Sequence, residues 1–111
     1  LLGEQHPDVA TSLNNLAVFY ISQSRYEQAE LLCLQALELK RSFLGEQHPD
    51  VATSLNNLAE LYRAQGRYTQ AEPLYRQALE LRRSFLGEQH PDVATSLDNL
   101  AELYCLQERY T

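Results

Sequence analysis

Along the chain from Val51, apolar residues fall at Val51, Leu55, Leu58, Ala59 and Tyr62, spaced i, i+4, i+7, i+8 and i+11. That spacing lines one face of an α-helix. A second stripe follows at Ala71, Leu74, Tyr75, Ala78, Leu79 and Phe85, predicting a second helix from about Thr69 to Leu86. The first helix should open at Pro49, whose missing N–H has no intrahelical partner at that position, with His48 as its cap and Asp50 facing the positive end of the dipole. Gly66 between the stripes supplies a residue able to take positive φ, and Gly87 should end the second helix. Pro73 predicts a small distortion near the start of that helix, where the first copy of the pattern carries Leu31 instead.

The whole pattern recurs. "LGEQHPDVATSLNNLA" occupies Leu2 to Ala17 and Leu44 to Ala59, and returns from Leu86 to Ala101 with Asp98 where Asn56 stands. The period is 42 residues, and the first two copies share 32 positions. Such a period belongs to stacked repeats, each burying its apolar face on the next. It divides the chain into repeats 2–43 and 44–85 and a partial repeat 86–111. Five helices follow, with a remnant of a preceding helix at Leu1 and Leu2, and no segment alternates as a strand would. The chain is expected to be part of a longer array.

The order Leu55-x2-Leu58-Ala59-x2-Tyr62, then Gly66, Tyr68, Ala71-x3-Tyr75 and Ala78 resembles the tetratricopeptide repeat, whose helices A and B carry those residue types. Two features depart from that pattern, a period of 42 where 34 is usual and Arg83 in place of the usual Pro; the 42-residue repeat with its "LGEQHPD" connection and "LNNLA" in the first helix is similar to the kinesin-light-chain-like subclass, in a bacterial type of array. The resemblance implies an all-α fold of antiparallel helix-turn-helix repeats stacked in a right-handed superhelical solenoid, with A helices lining an inner groove.

Composition agrees with a folded chain: 44% of residues are hydrophobic and 22% charged. Nine Lys and Arg against fifteen Asp and Glu leave a net charge of −6. That charge opposes binding to nucleic acid or an anionic membrane, and no apolar run approaches the ~20 residues of a membrane span. No export signal is read at the N-terminus. Cys33 and Cys105 form no zinc or disulfide spacing, which fits a reducing, cytoplasmic setting.

Little here looks catalytic. One His per repeat, at His6, His48 and His90, cannot share a metal when equivalent positions are separated by at least the 8–10 Å between packed helices, since zinc–nitrogen bonds are ~2.1 Å. His48, Asp50 and Ser54 lie at a helix start with no oxyanion donor, so the residues read as a cap rather than a triad. No cofactor, metal or enzyme activity is expected. Cys33 takes the packing position of Tyr75 and should be buried, and Cys105 should be more exposed.

The Asn residues stand apart. Asn15, Asn57 and Asn99 recur beside the packing Leu without helix propensity or apolarity to justify them. By the resemblance, such residues hydrogen-bond the backbone of an extended peptide; otherwise they tie neighbouring repeats together through a loop carbonyl. With Asn14, Asn56, Asp98, Glu60, Arg63 and Glu102 they form the candidate peptide-binding set. The copies also differ most at this end of helix A, as at Val18, Glu60 and Glu102. Relatives that clamp a carboxylate terminus use basic residues where Asn14, Asp98 and Glu102 stand, so the expected ligand is a basic or neutral polar protein segment. The rival reading is a structural spacer that self-associates end to end, with the third A helix exposing Leu100, Leu103 and Tyr104.

Overall fold

The computed structural model describes residues 7–110. Among them are five helices and no strand: α1 Pro7–Ser22, α2 Tyr26–Leu44, α3 Pro49–Ala64, α4 Tyr68–Leu86 and α5 Pro91–Tyr110. Each helix packs on its neighbours in sequence, and α1 also reaches α3. The result is an all-α helical repeat solenoid, elongated to 47 × 35 × 18 Å. Leu1, Leu2 and His6 lie outside the described residues.

The helix starts follow local chemistry. His48 Nδ1 accepts from the backbone N–H of Asp50 at 3.0 Å, and His90 Nδ1 accepts from that of Asp92 at the same distance. The imidazole thus satisfies one of the N–H groups that the first turn leaves unpaired. α4 runs unbroken through Pro73, which lies on its exposed side.

The turn from α3 to α4 depends on backbone handedness. Arg67 N–H donates to the Tyr62 carbonyl at 2.8 Å and Gly66 N–H to that of Arg63 at 2.9 Å, the paired bonds of a Schellman cap. That cap needs a left-handed residue, and Gly66 supplies it at φ 77°. Between α1 and α2 the same two bonds recur, but Ser24 takes the left-handed position at φ 61°. In α5 the corresponding residue is Glu108, and the helix continues through it.

The core divides along the stack. Ala17, Ala29, Cys33, Leu37, Val51, Leu55, Leu58 and Leu61 form one buried cluster, and Ala59, Ala71, Tyr75, Leu79, Val93, Leu100 and Leu103 form the next. Fully buried alanines at 29, 36, 71 and 78 let helices approach closely enough for the larger side chains to interlock.

Contrary to the expectation of an exposed apolar end, Leu100 and Leu103 are buried, because they point back onto Ala71, Tyr75 and Leu79 of α4. The open side of α5 carries Leu97, 43% exposed where its counterpart Leu55 is 2% exposed, while Tyr104 stays partly exposed at the edge that meets α4. An A helix has apolar residues on two sides, and α4 covers only one of them in α5.

Candidate functional site

α1, α3 and α5 present the candidate residues from equivalent positions, 42 apart in sequence. The structure brings five of the nine together between α3 and α5. Asn99 Nδ2 donates to Asn56 Oδ1 at 3.1 Å. Arg63 lies 2.5 Å from Glu60 within α3 and 3.3 Å from Glu102 of α5. Asp98 is exposed one turn before Glu102, and Asn15 is exposed on α1, while Asn57 is half-buried on α3.

Asn14 does not belong with them. It is buried and donates from Nδ2 to Ser54 Oγ at 3.1 Å, joining α1 to α3. A peptide could not reach it without parting the helices. The equivalent serine, Ser96, instead accepts from Arg82 at 2.8 Å. With Ser96 taken by Arg82, Asn56 is left to accept from Asn99. Asn14, Asn56 and Asn99 therefore tie neighbouring A helices, through side chains rather than through a loop carbonyl.

Tyr75 is a member of the network that the repeat pattern marks only as core filler. Its ring is buried, and its hydroxyl donates to Glu60 Oε2 at 2.7 Å. Burial, reinforced by Glu60, pushes the phenol well above its usual range. Burial works against the Arg63 charge, but hydrogen bonding and attraction from Glu60, helped by Tyr75, outweigh it and hold the guanidinium firmly cationic. A signal for this unit was present in the sequence. Val18, Ile21 and Cys33 of the first copy become Glu60, Arg63 and Tyr75 in the second: three apolar residues are exchanged for three that bond one another.

The electrostatic outcome is uneven along the face. Glu60 is occupied by Tyr75 and Arg63, whereas the Glu102 side chain stays 60% exposed despite its contact with Arg63. The α5 end therefore keeps an acidic surplus from Asp98 and Glu102. The α1 end has no charge at the matching positions, where Val18 is 51% exposed and Ile21 half-buried.

An open cavity of about 370 Å³ lies elsewhere, among α2, α3 and α4, with Val51, Leu55 and Leu81 beside Arg41, Glu46, Arg76 and Glu80. None of the candidate residues lines it. Among the described residues no helix is long and apolar enough to cross a membrane, and no group of three or more His, Cys, Asp or Glu is placed to hold a metal ion.

The tetratricopeptide repeat model matches residues 8–84 and 50–111, which together span nearly the whole chain. The chain belongs to the tetratricopeptide repeat family. Solved structures of its kinesin-light-chain-like branch are similar throughout. BtubC (BKLC) from P. vanneervenii matches 95% of this chain at 32% identity and a TM-score of 0.86. A Podosopora anserina protein assigned as a kinesin light chain, built of nearly identical TPR-like repeats, matches 94% at 27% identity and a TM-score of 0.82. A single-substitution variant of that fungal protein matches 96% at 26% identity and a TM-score of 0.77. The chain spans 42%, 49% and 50% of those three structures. No curated protein sequence matches it. Tetratricopeptide repeats are in general protein-interaction modules and typically non-enzymatic scaffolds.

Proposed function

We propose that this tetratricopeptide unit, with repeats 2–43, 44–85 and 86–111, is a non-enzymatic peptide-binding module of the cytoplasm that needs no cofactor. Its ligand is a basic or neutral polar segment of a protein partner, laid across the A-helix face. The observation that carries this reading is the state of the charges there. The charge of Arg63 is already paired with Glu60, while Asp98 and Glu102 remain exposed on α5. An acidic ligand would meet those carboxylates, and a basic one complements them. Asn15, Asn57 and the amide groups that Asn56 and Asn99 do not spend on each other can bond a peptide backbone.

Titrating a labelled peptide library tests the reading. Basic members should bind, and Glu102→Lys should weaken them and favour acidic ones. Glu102 is the better position for reversal because Glu60→Lys would also strand the buried Tyr75 hydroxyl. If every binder kept its affinity in Glu102→Lys, this face would not be the site.

A second reading is favoured by a separate observation. α1 exposes Leu16 and Phe19, although their counterparts Leu58 and Leu61 are buried, and α5 exposes Leu97. Such faces suit a self-associating spacer, but these few side chains are small against the roughly 1,200 Å² of a stable interface. Light scattering across concentrations separates the readings: oligomers without ligand favour the spacer, and a monomer with peptide binding favours the module.

A further inference from the structure

The A-helix face changes chemistry from one helix to the next, and the change is graded. At the position shared by Val18, Glu60 and Glu102, and at that shared by Ile21, Arg63 and Cys105, α1 is apolar. α3 is charged but internally neutralised: Arg63 lies 2.5 Å from Glu60, whose other oxygen accepts from Tyr75. α5 keeps an acidic surplus, with Asp98 exposed one turn before Glu102, and the Glu102 side chain 60% exposed although Arg63 of α3 lies 3.3 Å from it. We infer that the face takes an extended peptide of bipartite chemistry, one aliphatic side chain seated against Val18 and Ile21 of α1 and basic side chains seated against Asp98 and Glu102 of α5.

The inference rests on the peptide-binding reading and adds a spacing to it. Packed helices lie about 8–10 Å apart, so two steps from α1 to α5 cover about 16–20 Å. An extended chain advances about 3.3 Å per residue, and the two anchors therefore stand about five or six residues apart. The middle of the peptide crosses α3, where the closed Glu60–Arg63 pair leaves no net charge to select for. Selectivity therefore resides at the two ends. Val18 is exposed enough to gain from being covered, and Ile21 already packs against the core beside it, so an aliphatic side chain would extend an existing apolar surface rather than float on a polar one.

The test uses fluorescein-labelled synthetic peptides that carry one Leu and an Arg-Arg pair, separated by either five or one Gly/Ser residues. Both chain directions are made, and binding is followed by fluorescence anisotropy at low salt. In one direction the five-residue spacer should bind several-fold tighter than the one-residue spacer. Replacing Leu by Ser in the probe should cost about as much as Val18→Ser in the protein, and the two losses should not add. Asp98→Asn and Glu102→Gln should each weaken the probe up to about fivefold, the range of an exposed ion pair, and should flatten its salt dependence. Equal affinity for the two spacers, with Asp98→Asn and Glu102→Gln still harmful, would overturn the bipartite inference and leave the groove reading standing. A probe that binds but ignores Asp98→Asn, Glu102→Gln and Val18→Ser would overturn both.

Discussion

Tyr104 of α5 donates its hydroxyl to Glu72 of α4 at 2.9 Å, and Tyr62 of α3 does the same to Glu30 of α2 at 3.2 Å. In both cases the tyrosine of one A helix reaches the glutamate of the preceding B helix, across 32 residues of sequence. An arginine completes each arrangement, Arg76 near Tyr104 and Arg67 stacked 4.3 Å from the centre of the Tyr62 ring. These contacts stitch successive helical pairs together at their polar edge, beside the apolar clusters that carry most of the packing.

The Glu72 carboxyl is held below the usual carboxylate range, first by the hydrogen bond from Tyr104 and then by that from Arg76. A depressed folded value means that the contact contributes stability above the ordinary glutamate range and loses it as pH falls through the depressed one. Tyr104→Phe should raise the Glu72 pKa toward its ordinary value. Carboxyl NMR titration of both proteins gives the comparison; coincident curves would remove the tyrosine as the cause. Tyr62→Phe, at the more enclosed site, should cost about 0.5–1.5 kcal/mol in chemical denaturation, the net worth of one hydrogen bond.

Ser24 occupies a left-handed backbone position that Gly66 fills in the second copy. A side chain there costs roughly 1–2 kcal/mol, partly offset because serine restricts the unfolded chain more than glycine does. Ser24→Gly should therefore stabilise the protein by about 0.5–1 kcal/mol, and Gly66→Ser should lose a similar amount. A Cβ at Gly66 meets no atom within 4 Å, so the loss would reflect backbone conformation alone. Urea denaturation midpoints give both values, and a destabilised Ser24→Gly would contradict the argument.

The two thiols should react at very different rates. Cys105 is exposed, whereas Cys33 is buried, and burial together with nearby Glu30 pushes its pKa up to about 11. Since the thiolate is the reactive form, a disulfide reagent at about pH 8 should label one thiol per folded chain quickly and the second only on unfolding. Cys105→Ser should abolish the fast phase. The buried neutral thiol also favours the folded state less as pH climbs from the ordinary thiol range toward about 11, where an unfolded chain would already be ionised.

The helices, their caps and the stacked architecture were legible because they depend on local pattern. The stripe from Val51 to Tyr62 sets a helical face, and His-Pro-Asp sets its start, whichever neighbour lies beside it. What escaped depended on the neighbour. Leu100 belongs to the same stripe as Leu97 and Leu103 lies beside it, and periodicity alone does not say which side of the helix α4 covers. Asn14 and Asn56 sit in identical sequences of sixteen residues, yet one bonds Ser54 and the other Asn99. The Tyr75–Glu60–Arg63 unit escaped although three apolar residues of the first copy are exchanged together there, because Tyr75 fits its packing position equally well as an apolar ring.

The divergence of Asn14 and Asn56 leads to a prediction at a third residue. Ser54 and Ser96 are equivalent, as are Lys40 and Arg82, and both cationic residues are buried. Arg82 gives one N–H to Ser96 at 2.8 Å, and burial pulls its pKa down, countered only by the charge of Asp92. Lysine lacks the planar fork with which arginine reaches that hydroxyl. Arg82→Lys would copy the first repeat: it should release Ser96, allow Asn56 to turn to it as Asn14 turns to Ser54, and leave Asn99 without its partner. The expected cost is about 1 kcal/mol for the lost bond, read by denaturation. The decisive readout is the pair of Asn56 and Asn99 side-chain amide resonances, which should both move. If stability falls and those resonances stay in place, Arg82 acts only through its own packing, and the choice between Ser96 and Asn99 is made elsewhere in the α3–α5 contact.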